Sequence, residues 1–171
     1  MNPMKTIFID KVTLNIGVGG PGDKLEKAVK LLKTISGNKP IQTMSKKRIP
    51  TWGLRPKLPI ACKVTLRGQK ATDLLKRLFQ AVDNVVPKKK FDQYGNLSLG
   101  IQEYIDIPGV PYDASIGVIG LEAAVTLNRK GFRVKRRAIQ KKNIPMRHRI
   151  TQDQAIEFMK KDFGIKLGDE E

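Results

Sequence analysis

This chain is poor in the residues that carry most enzyme chemistry. Among 171 residues there is one cysteine, Cys62, one histidine, His148, and one tryptophan, Trp52. A single cysteine excludes an internal disulfide framework. Metal sites draw on clustered His, Cys or acidic residues. No such cluster stands out, so neither a metal nor a cofactor is expected. Cys62 falls on the apolar parity of "IACKVTLR" and reads as a core thiol, while His148 in "MRHRI" reads as facing solvent or phosphate. Glu103 with Asp106, or Asp106 with Asp113, could form acid pairs, but nothing supplies them with a partner for acid–base work. No enzyme is expected.

Long apolar runs are missing as well. None approaches the ~20 residues of a membrane-spanning helix. The N-terminal "MNPMKTIFIDK" lacks the apolar core and cleavage site of a signal peptide. The expected setting is cytoplasmic, with no membrane partner. Acids are scarce: 33 Lys and Arg face 16 Asp and Glu, for a net charge of +17. Such a chain repels itself unless a polyanion neutralises it, and nucleic acid is the usual polyanion. Aromatics make up only 6%, but 40% of residues are hydrophobic, enough for a real core.

The dominant pattern is alternation at period two, the mark of strands with one buried face. In residues 6–18, Val12, Leu14, Ile16 and Val18 oppose Lys11, Thr13 and Asn15. In residues 60–67, Ile60, Cys62, Val64 and Leu66 oppose Lys63, Thr65 and Arg67. Residues 97–105 and 118–128 alternate similarly, with Gly120, Glu122, Thr126 and Asn128 on the polar side of the latter. Helical spacing appears over about 23–36, capped by Asp23 and stopped at Gly37, and over about 69–85. A third helix starts near Thr151, which can cap it, and the chain turns acidic after residue 152, ending in "GDEE". The expected fold is α+β in a single domain, 1–171. A mostly antiparallel sheet carries helices on one face and leaves the other open for RNA. The core covers about 6–128; a basic arm and C-terminal helix follow over 129–171.

Gly17, Gly19 and Gly22 match G-x-G-x-x-G before a helix. A dinucleotide turn also needs a strand buried on both faces and an acid about 20 residues on. The strand here alternates, and "SGNKPIQTMSKKR" at 36–48 contains no acid. The glycines therefore read as a permissive strand-to-helix turn. Two basic segments are more telling. "MSKKRIPTWGLRPKLP" (44–59) packs Lys46, Lys47, Arg48, Arg55 and Lys57 around Trp52. Its prolines and Gly53 predict a long loop without regular structure, suited to phosphates and to base stacking. Residues 129–149 hold ten Lys or Arg and no acid, including Arg133, Lys135, Arg136, Arg137, Lys141, Lys142, Arg147 and Arg149. They read as an arm on RNA.

The segments "KVTLNIGVG", "ISGNKPIQT", "LPIACKVTLRG", "FDQYGNLSLGIQEYIDIPGVPYD" and "GLEAAVTL" occur in this order over about residues 6–128. Together they resemble the large-subunit ribosomal protein L5 family, with an archaeal-type basic extension and without the extra N-terminal helix of bacterial members. The resemblance implies a structural ribosomal protein that binds 5S ribosomal RNA and anchors it in the central protuberance. By motif, that contact would fall on Lys11, Thr13, Asn15, Gln42, Thr43, Lys63, Thr65 and Arg67. It implies further that the loop over about 46–58 reaches P-site transfer RNA, with Lys46, Lys47, Arg48, Trp52, Arg55 and Lys57 as its contacts. Large-subunit ribosomal RNA and neighbouring ribosomal proteins, one of them in the small-subunit head, complete the implied partners. Two other readings remain: a basic RNA-binding protein or chaperone outside the ribosome, and a dinucleotide enzyme using the glycine turn.

Overall fold

The structure, a computed structural model, describes residues 2–168. The acidic end of the chain, Asp169, Glu170 and Glu171, lies outside the described residues. The elements, in order, are β1 (Ile7–Gly17), α1 (Asp23–Ser36), β2 (Ile41–Met44), β3 (Pro59–Leu66), α2 (Gln69–Gln80) and β4 (Val85–Pro87). There follow β5 (Leu97–Ile101), β6 (Leu121–Arg129), the single-turn α3 (Arg133–Arg136), α4 (Gln152–Phe163) and β7 (Lys166–Gly168). The fold is α+β, with a mostly antiparallel five-stranded sheet in the order β2-β3-β1-β6-β5 and a separate β4-β7 pair. The described chain divides into two compact units: residues 2–12, 67–98 and 124–168 make the first, and residues 13–66 and 99–123 the second.

In the second unit the period-two pattern becomes a two-faced surface. Leu14, Ile16, Cys62, Val64 and Leu66 are buried, while Lys63 and Thr65 are exposed. Helix α1 lies against β3 and buries Leu25, Ala28, Leu31, Leu32 and Ile35. Each such leucine contributes about 1.5–3 kcal/mol by leaving water. The α1 boundaries match expectation, but its cap does not. Gly22 (φ 125°) is the N-cap residue, and Asp23 is already inside the helix. There its carboxylate favours the positive end of the helix dipole instead of bonding an orphan amide.

In the first unit, Phe79 of α2 and Phe163 of α4 meet with ring centroids 5.5 Å apart. Helix α2 ends at Gln80, short of the expected ~85. Asp83 (φ 54°) and Asn84 (φ 57°) turn left-handed and feed β4. Strand β4 pairs in parallel with β7, Val85 opposite Lys166 and Val86 opposite Leu167. Thr151 caps α4 as expected, and the Gln154 side chain accepts from the Thr151 amide at 3.3 Å. Asn128 departs from its expected polar side. It is 5% exposed, because the alternation of β6 gives way to three successive buried residues at Leu127, Asn128 and Arg129.

Candidate nucleic-acid interface

The open face of the second unit is built from alternate residues of neighbouring strands. Thr13 and Thr65 place their hydroxyls 3.5 Å apart. Asn15 Nδ2 donates to Glu122 Oε2 at 3.4 Å, so one carboxylate shares this face. Lys63 is exposed, and β2 extends the surface through its register, Ile41 opposite Lys63, Gln42 opposite Cys62 and Thr43 opposite Ala61. Residues directly opposite in a ladder share a face. Thr43 therefore joins Lys63 and Thr65, whereas Gln42 falls on the parity of the buried Cys62. The register thus turns Gln42 and Thr43 to opposite sides of the edge strand, with Gln42 exposed. Thr43 Oγ1 is buried and has no hydrogen-bond partner.

The glycine turn has no mononucleotide geometry. The amides of Val18 and Gly19, which would have to point at a phosphate, both donate to the Ile60 carbonyl, at 3.0 and 2.9 Å. Gly19 (φ 85°) and Gly22 (φ 125°) supply backbone conformations that β-carbon residues avoid.

The basic loop is more ordered than expected. Ser45 N donates to Leu58 O at 2.8 Å, and Lys57 N returns to Ser45 O at 2.9 Å. Farther out, Ile49 and Leu54 exchange both backbone bonds at 3.0 Å around a 3-10 turn, Pro50–Trp52, closed by Gly53 at φ 65°. Leu54 is buried and pins the finger. The prolines start or flank turns instead of dissolving the segment, which is why composition misjudged it. Lys46, Lys47, Arg48, Arg55 and Lys57 are all exposed, and Trp52 stands at the tip, 72% exposed.

The first unit presents its cations differently. Arg67, expected on an open face, donates from Nη1 to Asp10 Oδ1 at 3.0 Å and to the Asp10 carbonyl at 3.2 Å. Arg136 of the arm donates from Nη2 to Asp10 Oδ2 at 2.8 Å. Lys11, Lys135, Lys141 and Arg149 line the same cleft, so here the surface is walled, not flat. Arg133, Arg147 and Lys142 are exposed elsewhere on the arm, while Arg137 turns back to donate from Nε to Gln140 O at 2.9 Å. Nothing in the composition marked Asp10 as the organiser. Its one signal was a carboxylate on the same strand parity as Val12 and Leu14.

His148 is half-buried and packed within the arm. Its Nε2 bonds the Lys130 carbonyl at 3.0 Å, and its ring meets Phe132 edge-on at 5.7 Å. Arg129, also missed, is 7% exposed, and burial pulls its pKa down. Cys62 is a core thiol, as expected, with its pKa pushed up to about 11 by burial. Among the described residues no His, Cys, Asp and Glu cluster could hold a metal ion, and no helix is long and apolar enough to cross a membrane.

Comparison with known proteins bears on this arrangement. Residues 2–55 match the family described as ribosomal protein L5, and residues 59–158 match the family described as the C-terminus of the same ribosomal protein. The large ribosomal subunit protein uL5 of Nanoarchaeum equitans is 48% identical over 97% of this chain and 98% of its own length. The proteins of the same name from Sulfurisphaera tokodaii and Methanosphaera stadtmanae are 45% and 44% identical, each over 98% of this chain and over 95% and 99% of their own lengths. A β-surface of hydroxyls, an amide and Lys63, a basic finger and a basic arm thus occur in a sequence matched over residues 2–55 and 59–158 by a non-enzymatic ribosomal family, and the chain belongs to the ribosomal protein L5 family.

Proposed function

We propose that this chain binds 5S ribosomal RNA and helps hold it in the central protuberance, using the open β-surface of its second unit. Family membership makes the chain a structural constituent of the large ribosomal subunit. The observation that supports the finer reading is the division of β3: Cys62, Val64 and Leu66 go to the core while Lys63 and Thr65 stay exposed beside Thr13 and Asn15. Cations neutralise phosphates and release counterions, and hydroxyl and amide groups fix register on sugars and bases. Folded RNA is recognised in this way by shape.

The finger that carries Trp52 is the proposed contact to P-site transfer RNA. The arm cations are proposed to meet large-subunit ribosomal RNA. A contact with a protein of the small-subunit head belongs to the same reading.

The test is binding of 5S RNA by the intact chain and by a Lys63→Ala/Thr65→Ala variant. Both side chains are exposed, so the fold should persist. We expect a loss of affinity of about 10-fold or more, because two backbone- or sugar-directed groups are removed. For the intact chain, roughly 6–10 phosphate contacts would cost about three to five decades of affinity between about 50 and 200 mM salt. Unchanged binding by the folded double variant would remove the β-surface from the interface.

A further inference from the structure

The cleft in the first unit has a composition that the β-surface of the second does not share. It encloses about 880 Å³, within the roughly 300–1,000 Å³ typical of clefts that take small ligands. Lys11, Arg67, Lys135, Arg136, Lys141 and Arg149 line it, and Asp10 is its one carboxylate. The Asp10 side chain is only 13% exposed, while those of Arg67 and Arg136 are 57% and 51% exposed. One covered acid thus holds two guanidiniums in place and leaves their remaining N–H groups toward solvent. Lys11, Lys135 and Lys141 form no ion pair among the described residues.

An aromatic ring sits at this cleft. Tyr94 lines it and is 60% exposed. The turn that carries it is rigid. Asp92 accepts from the amides of Tyr94 and Asn96 at 2.9 and 2.6 Å, and from Asn96 Nδ2 at 2.7 Å. Gly95 (φ 76°) lies so close to Ile150 Cγ2 that a β-carbon there would approach it to 2.6 Å. Tyr94 is therefore held out toward water by a turn packed from behind. Exposed aromatic rings interleaved with cations are the pattern of single-stranded nucleic-acid sites, where cations follow the backbone and bases stack on the rings.

We propose that this cleft is a second RNA site, distinct from the β-surface, which takes an unstacked single-stranded nucleotide. Its phosphates lie against Lys11, Lys135 and Lys141 and the exposed edges of Arg67 and Arg136, and its base stacks on Tyr94. Asp10 is a positioning residue that acts through the two arginines. The inference rests on the reading of this chain as an RNA-binding protein and adds where, and in what form, a second segment of RNA is held.

The test uses the full chain, a labelled single-stranded uridine oligonucleotide as probe, and 5S RNA in parallel. Tyr94→Ala should weaken oligonucleotide binding about 5- to 150-fold, the worth of one stacked base. Tyr94→Phe, which keeps the ring, should bind like the intact chain. Lys135→Ala/Lys141→Ala should flatten the salt dependence of oligonucleotide binding by roughly one to two units of slope. Asp10→Asn removes an anion from a cation site, yet should weaken binding because the guanidiniums lose their anchor. Unchanged oligonucleotide binding by Tyr94→Ala overturns the site, and unchanged or tighter binding by Asp10→Asn overturns the role of Asp10. If the Lys63→Ala/Thr65→Ala variant loses 5S RNA while the oligonucleotide ignores Tyr94, the cleft fails and the β-surface stands. If the intact chain binds neither RNA, both readings fall.

Discussion

Arg129 Nη2 donates to Gln154 Oε1 at 3.0 Å, and through that bond a buried cation joins the end of β6 to the first turn of α4. Its Nη1 reaches the carbonyls of His148 and Arg149 at 3.3 and 3.2 Å, and its Nε has no partner. No carboxylate is among these partners, so the guanidinium works as a hydrogen-bonding hub. Arg129→Ala orphans the His148 and Arg149 carbonyls, at about 1–3 kcal/mol for each that stays buried, while Gln154 Oε1 keeps the Thr151 amide. The urea midpoint should fall clearly with the m-value unchanged. A wild-type midpoint would mean that the two carbonyls find water once the side chain is gone.

Asp113 accepts from Lys30 Nζ at 2.7 Å and from Ser115, and these bonds, Lys30 first, hold its pKa near 2 against an ordinary 3.8. A depressed carboxylate pKa adds stability above the ordinary value, and that stability is lost as pH falls through the folded one. The difference in melting temperature between the intact chain and Asp113→Asn should thus be present at about pH 5 and shrink toward about pH 2. A difference that stays constant across that range would show that the bond network does not depend on the carboxylate charge.

Cys62 is fully buried, with its thiol pushed up to about 11. Only a thiolate reacts readily with alkylating reagents. Folded protein at neutral pH should resist iodoacetamide for as long as it stays folded, and denaturant should expose one reactive thiol. Rapid labelling of the folded chain, followed by mass spectrometry, would contradict this burial.

Gly95 and Gly117 both sit at φ 76°, but a β-carbon at Gly95 would meet Ile150 Cγ2 at 2.6 Å, whereas nothing lies within 4 Å of one at Gly117. Gly117→Ala should cost only the backbone strain, about 1–2 kcal/mol. Gly95→Ala adds an overpacking cost of about 1–3 kcal/mol. Thermal melts of the two variants, compared directly, should show the larger loss at Gly95. Equal losses would mean that Ile150 gives way without cost.

The parity of β1 and β3 was legible because side chains alternate at a fixed period and one face must be apolar. Leu14, Cys62 and Val64 against Thr13, Lys63 and Thr65 needed no tertiary information. Helix α1 and the Thr151 cap were legible for the same local reason. The side of the strand that Gln42 takes was not legible, because it depends on which β3 residue it opposes. The finger at 45–58 was misjudged because its order comes from paired backbone bonds between Ser45 and Leu58 and between Ile49 and Leu54, which composition does not encode.

What the sequence by itself determined is the charge of the molecule, the division of its strands into apolar and polar sides, and the family it resembles. These depend on residue type and on spacing over a few positions. Only the tertiary structure decided that Asp10 gathers Arg67 and Arg136, that Arg129 is buried and His148 packed, and that Tyr94 stands at a cation cleft. Asp10 meets partners 57 and 126 residues away. A charge so distant along the chain becomes a neighbour only when the whole fold closes, and no local periodicity records that closure.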